Sequence, residues 1–246
     1  MSVGDVMMVL ALESATELAG VALADEDGVL ATVTVSRGRH HAESIAPAID
    51  FVTRRAGVAL SDVDAVGVDV GPGLFTGLRV GVGTAQALAF ALEKPLVGLS
   101  SLEVLAYAAA TSGAAPGTLV VPVVDARRGE VFVARLRTTA DGVSWEQTEV
   151  RRSPELLADE LVGLGEAFVL VGDGARRYRG ILGAVPGAVT VGEVLAHPPP
   201  AVLASLAVRR AVAGEFHEAA TVLPHYLRDA ETRIKWETRA RAGVER

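Results

Sequence analysis

The stretch "VDVGPGLFTGLRVGVGTAQALA", residues 68 to 89, constrains the fold more than any other part of the chain. A hydrophobic run leads in, Gly71, Pro72 and Gly73 interrupt it, and an alanine-rich pattern follows. The run reads as a buried strand over 63–71 and the alanine-rich part as a helix over 78–93, joined by a tight turn. Gly77, Gly81 and Gly83 put small residues along that helix, so another backbone can approach it closely. A strand feeding a helix at such short range belongs to an α/β architecture.

The same turn can be tested against known chemistry. A phosphate loop of the G-x-x-x-x-G-K-[ST] type needs a lysine and an adjacent hydroxyl, and neither is present. The dinucleotide spacing G-x-G-x-x-G fails because Gly77 follows Gly73 by four positions rather than three. A nucleophile elbow wants G-x-S-x-G, whereas Thr76 stands alone in "FTG". Gly71, Pro72, Gly73 and Thr76 therefore read as a structural turn, with Thr76 capping a helix that begins at Gly77 or Leu78. Arg79, near the helix start, can fork onto a carboxylate or phosphate, or make a plain surface salt bridge.

Around this segment the chain reads as strands at 6–12, 18–24 and 29–36, with Asp27–Gly28 marking a hairpin. A helix over 42–56 follows, with Ile45, Ile49 and Val52 on one face, Pro47 in an early turn and Gly57 as its stop. After the glycine segment come a strand at 95–99 and a helix at 101–110 capped by Ser100 or Ser101. "TSGAAPGTL" (111–119) is the best linker. A second set of strands at 119–124, 130–137 and 143–150 follows. Then come a helix after Ser153–Pro154, a strand at 167–171, and helical patterns at 173–182 and 201–213. The two three-strand openings suggest related halves, each a mixed sheet covered by helices.

Composition limits the functions open to such a chain. At 246 residues with half of them apolar, it can bury a sizeable core, filled mainly by Val, Leu and Ala because aromatics make up 4%. Without cysteine there are no disulfides and no thiolate chemistry, which fits the cytosol. An acidic residue before the first apolar run argues against a secretory signal, and no run of 18 uncharged apolar residues is present. The net charge of −7 makes a stand-alone nucleic-acid binder unexpected.

Other polar residues suggest sites without completing one. Glu13, Ser14 and Thr16 follow the first strand, where an actin-like nucleotide fold wants an acid and a glycine hairpin, yet no glycine follows until Gly20. His40 and His41 are adjacent, and His197, His217 and His225 have no metal-ligand spacing. Asp125 in "VVDARRGEVF" and Asp173 in "VGDGARRY" each end a strand before an arginine-bearing turn. No catalytic residue, cofactor or metal site is expected from this set.

The segments "HAESIAPAI", "GVDVGPGLFTGLRVGVGTAQALA", "KPLVGLSSLEVLA", "VPVVDARRGEVF" and "LPHYLR" together resemble the TsaB (YeaZ) family, with Leu74 at a position usually held by serine. The resemblance implies an actin-like fold of the hexokinase and heat-shock ATPase type. Its two domains would be 1–112, carrying the partner surface, and 113–246, ending in a charged tail. It implies a cytoplasmic, non-catalytic subunit that activates a TsaD-like transferase forming threonylcarbamoyladenosine beside the tRNA anticodon. A TsaE-like ATPase joins that complex, a homodimer is known in the family, and tRNA is met only indirectly. The metal-binding histidine pair of TsaD falls here at Ser101 and Leu105, which cannot replace imidazoles. The surface implied for docking comprises Ile45, Ile49, Val52, Gly77, Gly81, Thr84, Ala85 and Leu88. The competing readings are an enzyme of the same superfamily, metallopeptidase-like or kinase-like, and a stand-alone nucleotide-binding module.

Overall fold

A computed structural model describes residues 6–36, 41–190 and 192–227. Strands β1 (Val9–Glu13), β2 (Ala19–Asp25) and β3 (Gly28–Val35) form an antiparallel meander. β1 is buried on both faces and its sequence is apolar throughout until Glu13, whereas the edge strand β3 is largely exposed. Helix α1 (His41–Ala56) crosses to β4 (Ala65–Gly71), which pairs parallel to β1. Helix α2 (Phe75–Leu92) crosses to β5 (Leu96–Ser100), parallel to β4, and α3 (Ser101–Thr111) follows.

The second half repeats the plan. β6 (Leu119–Arg127), β7 (Glu130–Thr139) and β8 (Gly142–Arg152) form an antiparallel meander. After α4 (Pro154–Val162), β9 (Phe168–Val171) pairs parallel to β6. After α5 (Asp173–Arg177) and α6 (Arg179–Leu182), β10 (Ala188–Thr190) pairs parallel to β9. The orders β3-β2-β1-β4-β5 and β8-β7-β6-β9-β10 are the same topology, so the related halves expected from layout share one strand order. β10, three residues long, has too little pattern to be seen in the sequence.

Local chemistry explains most element ends. The Ser100 hydroxyl accepts from the Leu102 and Glu103 amides, and Ser153 accepts from Leu156 with Pro154 in the first turn. Gly57 ends α1 at φ 69°, a left-handed conformation natural to glycine. Two details differ from expectation. Pro47 lies inside α1, beyond its first turn. α2 begins at Phe75 with Leu74 as a side-chain-free cap, so Thr76 is an exposed first-turn residue and caps nothing. The turn closes through the backbone instead, with the Leu74 amide donating to the Ala15 carbonyl at 2.6 Å.

The chain beyond 113 does not stay with the second sheet. Helix α7 (Pro200–Val212) packs Leu203, Ala204, Ala207 and Ala211 against β1, β2 and β5 of the first. Its approach is close: a Cβ on Gly67 would stand 2.9 Å from the Ala207 Cβ. Val222 then joins the core on the opposite face of that sheet, beside α1 and α2. An assignment of all of 113–246 to a second unit is therefore corrected at α7, whose alanine face complements the small residues of the first sheet. α3 is buried along nearly its whole length, with Val104 and Tyr107 in one core and Leu102 and Leu105 in another. Leu105 is thus core, as its composition suggests.

Candidate functional site

The C-terminal ends of parallel strands are where α/β folds place ligands, and here those ends hold the buried polar groups. Glu13 ends β1 and Asp69 lies near the end of β4, both wholly buried. Glu13 Oε1 accepts from the Ala15 amide at 2.8 Å. Asp69 Oδ1 accepts from the Gly71 amide at 2.7 Å and the Ser101 hydroxyl at 2.6 Å. Their other oxygens, Glu13 Oε2 and Asp69 Oδ2, have no further hydrogen-bond partner among the described residues. Burial, then the charge of Asp69, pushes the Glu13 carboxyl well above its ordinary range. Burial pushes Asp69 up as well, against the hydrogen bonds it accepts. Two buried carboxyl groups this close disfavour ionising together, so the pair favours sharing a proton.

A second polar chain ties this end of the first sheet to the second half. Ser100 Oγ bonds Glu149 on β8, and Glu149 Oε2 meets His225 Nδ1 at 2.7 Å. The Glu149 carboxylate raises the His225 pKa. The His225 amide donates to the Val70 carbonyl at 2.7 Å, which fixes the neighbouring Tyr226.

The opening between the two hairpins is crossed by the protein's own groups. Arg127 Nη2 meets Glu17 at 2.6 Å, and its Nη1 meets Asp125 at 3.1 Å. His197 Nδ1 lies 3.0 Å from Thr16 Oγ1, and His41 Nε2 lies 2.8 Å from the Thr16 carbonyl. The Asp125 amide donates to Asp173 at 2.9 Å. Asp125 and Asp173 thus come together, while Glu13 pairs with Asp69, a partner that sequence spacing could not reveal. His41 is a buried structural residue, and His217 bridges to Leu96 at the edge of β5. His40 and the charged tail from 228 lie outside the described residues.

The residues expected to offer a docking face divide between core and surface. Ile45, Ile49, Val52, Gly77, Gly81 and Ala85 are buried by the chain itself, and only Thr84 and Leu88 are half-buried. The cause is steric: Cβ atoms on Gly73, Gly77 and Gly81 would overlap Ala15 and Ser14 in the β1–β2 turn. The glycine face therefore packs inward, and these six side positions cannot meet another protein directly. The opposite face of α2 is open. It shows Phe75 and Phe90, 52% and 84% exposed, with Arg79, Gly83 and Ala87 between them. At its start Arg79 stacks on the Phe75 ring at 4.0 Å, Phe75 packs on Tyr226 at 5.1 Å, and Arg79 Nε reaches the Tyr226 hydroxyl at 3.4 Å. Aromatics with arginine on a rigid helix are the composition of binding hot spots. Phe75, Phe90 and Tyr226 were missed from sequence; for the two phenylalanines the available signal was a pair of large apolar side chains on the helix face away from Gly77 and Gly81. α2 has 18 residues of mean hydropathy 1.2, long and apolar enough to cross a membrane by composition, and one third of it is buried.

Residues 21–150 match the family model described as "TsaD: tRNA N6-adenosine threonylcarbamoyltransferase". The chain is 33% identical over 94% of its length to a tRNA threonylcarbamoyladenosine biosynthesis protein TsaB of Bacillus subtilis, covering 98% of that protein. It is 35% identical over 68% of its length to the Escherichia coli TsaB, covering 72% of it. A solved structure of YeaZ from Pseudomonas aeruginosa superposes with TM-score 0.77 at 32% identity, covering 89% of this chain and 99% of that one. A polyphosphate/ATP-glucomannokinase from an Arthrobacter superposes with TM-score 0.50 at 13% identity, covering 83% of this chain and 98% of that one. That likeness shows the fold alone, the actin-like ATPase fold.

Proposed function

The chain belongs to the TsaB family, and from that premise we propose that it is the accessory subunit of a tRNA threonylcarbamoyladenosine-forming complex. It binds a TsaD-like transferase and activates it, acting as a cytoplasmic scaffold beside a TsaE-like ATPase. The observation that carries this reading is the outer face of α2, where Phe75, Arg79 and Phe90 stand exposed on a helix whose inner face is locked to the core. Burying the Phe90 ring on docking contributes roughly 1.5–3 kcal/mol, and the half-covered Phe75 ring about half as much. The inner glycines still matter, because they hold α2 against the β1–β2 turn and so fix the face that docks. The Glu13–Asp69 pair is wholly buried and Arg127 bridges Glu17 and Asp125, so these groups are engaged within the chain itself.

The test is co-elution of the purified chain with a TsaD-like subunit on size exclusion, followed by tRNA modification by the mixture. Wild type is expected to co-elute and to stimulate modification. The F75A/F90A variant should fold and do neither. Unchanged co-elution of that variant defeats the reading. Self-association lost in the same variant would instead mark α2 as the face of a homodimer.

A further inference from the structure

Beyond α7 the chain returns along α2 as a strap, residues 219–226, which opens with a 3-10 turn at Ala219–Thr221 and then runs extended. Val222 is buried in the core of the first sheet, whereas Leu223, His225 and Tyr226 are exposed. Three main-chain bonds seat the strap. Gln86 Nε2 donates to the Ala219 carbonyl at 3.0 Å and to the Val222 carbonyl at 2.9 Å. The His225 amide donates to the Val70 carbonyl at 2.7 Å. Glu149 of β8 meets the His225 ring at 2.7 Å, so the second half of the chain also holds the strap in place.

The polar residues on the outer side of α2 serve this contact. Phe75, Arg79, Gln86 and Phe90 follow at i, i+4, i+11 and i+15, which sets them on one stripe within about 60° of the helix circumference. Both polar side chains of that stripe reach the strap, Gln86 through its amide and Arg79 through Nε at 3.4 Å from the Tyr226 hydroxyl. A side-chain amide carries two N–H donors, and both carbonyls met by Gln86 belong to the strap. Since Val222 faces inward, its extended neighbour Leu223 faces out, 69% exposed. Leu223 follows directly on the carbonyl that Gln86 holds. An apolar side chain on backbone already tied down loses little freedom when a partner covers it.

We propose that the partner docks on α2 and the strap together, and that Gln86 is the positioning residue that sets Leu223 and Tyr226 beside Phe75 and Phe90. The inference rests on the reading of α2 as the face for a TsaD-like subunit and extends that face to a second element. Continuity argues for the same occupant. Tyr226 packs on Phe75 at 5.1 Å, so a partner that covers the Phe75 ring also meets the strap. An apolar patch carried on two elements fits a partner surface with a broad apolar recess. Gln86 acts through the strap, because its amide is taken up by main-chain carbonyls.

The experiment titrates the TsaD-like subunit calorimetrically into the full chain carrying L223A, Q86M or V162A, with thermal melts and hydrogen exchange of each. L223A should leave the melting temperature unchanged and weaken association about tenfold. Q86M keeps the side chain's length and removes both donors. It should weaken association by a similar factor and quicken exchange of the His225 amide, with α2 as protected as in wild type. V162A, at an exposed apolar position on α4, should change neither. Because Gln86 acts through the strap, Q86M should cost less in an L223A chain than in wild type. Wild-type affinity of both L223A and Q86M, where F75A/F90A loses binding, overturns this proposal and leaves the docking reading standing. Full additivity of the two substitutions, or loss of α2 protection in Q86M, refutes the positioning role. If L223A separates a dimer of this chain and leaves the complex intact, the strap serves a second copy and the proposal fails. Binding of F75A/F90A at wild-type affinity removes the docking reading and this proposal with it.

Discussion

Ser14 donates its hydroxyl to the Gly77 carbonyl at 2.9 Å, and the backbones of the β1–β2 turn and α2 meet at that bond. It ties the glycine-rich segment that sequence resemblance singles out to the turn after β1, and it is buried inside the chain. The glycine pattern is therefore first a device for seating α2 on β1, and only through that seating a device for presenting its other face.

This seating separates two glycines two positions apart. A Cβ at Gly81 would overlap the Ser14 hydroxyl, whereas a Cβ at Gly83 meets nothing within 4 Å. G81A should destabilise by about 1–3 kcal/mol. G83A should be neutral or stabilise by up to about 1 kcal/mol through helix propensity. Urea unfolding of the two variants decides, and equal effects would show that the close approach is not felt. Adding Ser14→Ala to G81A should recover part of the loss.

Phe90 is 84% exposed and touches no core cluster. F90A should therefore change unfolding free energy by no more than about 0.5 kcal/mol. As part of a docking hot spot it should cost more than about 1 kcal/mol of association. Calorimetric titration against the TsaD-like subunit, beside thermal melts, reads both. A loss of stability equal to the loss of affinity would place Phe90 in the fold rather than the interface.

Glu13 carries a raised pKa, so its contribution is greatest below the unfolded carboxyl range near 4.5 and is lost as pH rises through the folded value. Glu13→Gln keeps a donor toward Asp69 and an acceptor for the Ala15 amide, and it removes the ionisation. The variant should match wild type in the acid range and melt higher than wild type once pH has risen through the folded value. Parallel pH profiles of melting temperature for the two proteins would contradict a shared proton.

His225 also has a raised pKa, from the Glu149 carboxylate. Its stabilisation is full below about 6.5, the ordinary histidine value, and fades as pH climbs through the higher folded value. Since His225 precedes Tyr226, the packing of Tyr226 on Phe75 should loosen over the same window. Hydrogen exchange at residues 222–227 should quicken in wild type beyond the rate change set by pH itself, and not in His225→Asn. Identical protection profiles would detach the pair from the docking face.

Much of the fold was legible because its signals are local. The apolar run of β1, the Asp27–Gly28 hairpin, the Ser100 and Ser153 caps and the Gly57 stop each act within a few residues. The repeated three-strand opening showed the two halves by layout, and their common strand order follows it. Thr76 was misread because a hydroxyl near a helix start looks like a cap whether or not the backbone of Leu74 has already taken that place.

What the sequence by itself determined was where strands and helices lie and which stretch must approach another backbone closely, since capping, turn conformation and side-chain volume are properties of neighbours along the chain. Only the tertiary structure decided which face of α2 turns inward, that Glu13 pairs with Asp69 rather than Asp125, and that α7 returns to the first sheet. The small residues of α2 marked a face for close approach without recording whether this chain or another would supply the partner. Contacts between residues far apart in sequence are settled by which surfaces fit, and here Ser14 fits Gly77 and Gly81 as Ala207 fits Gly67.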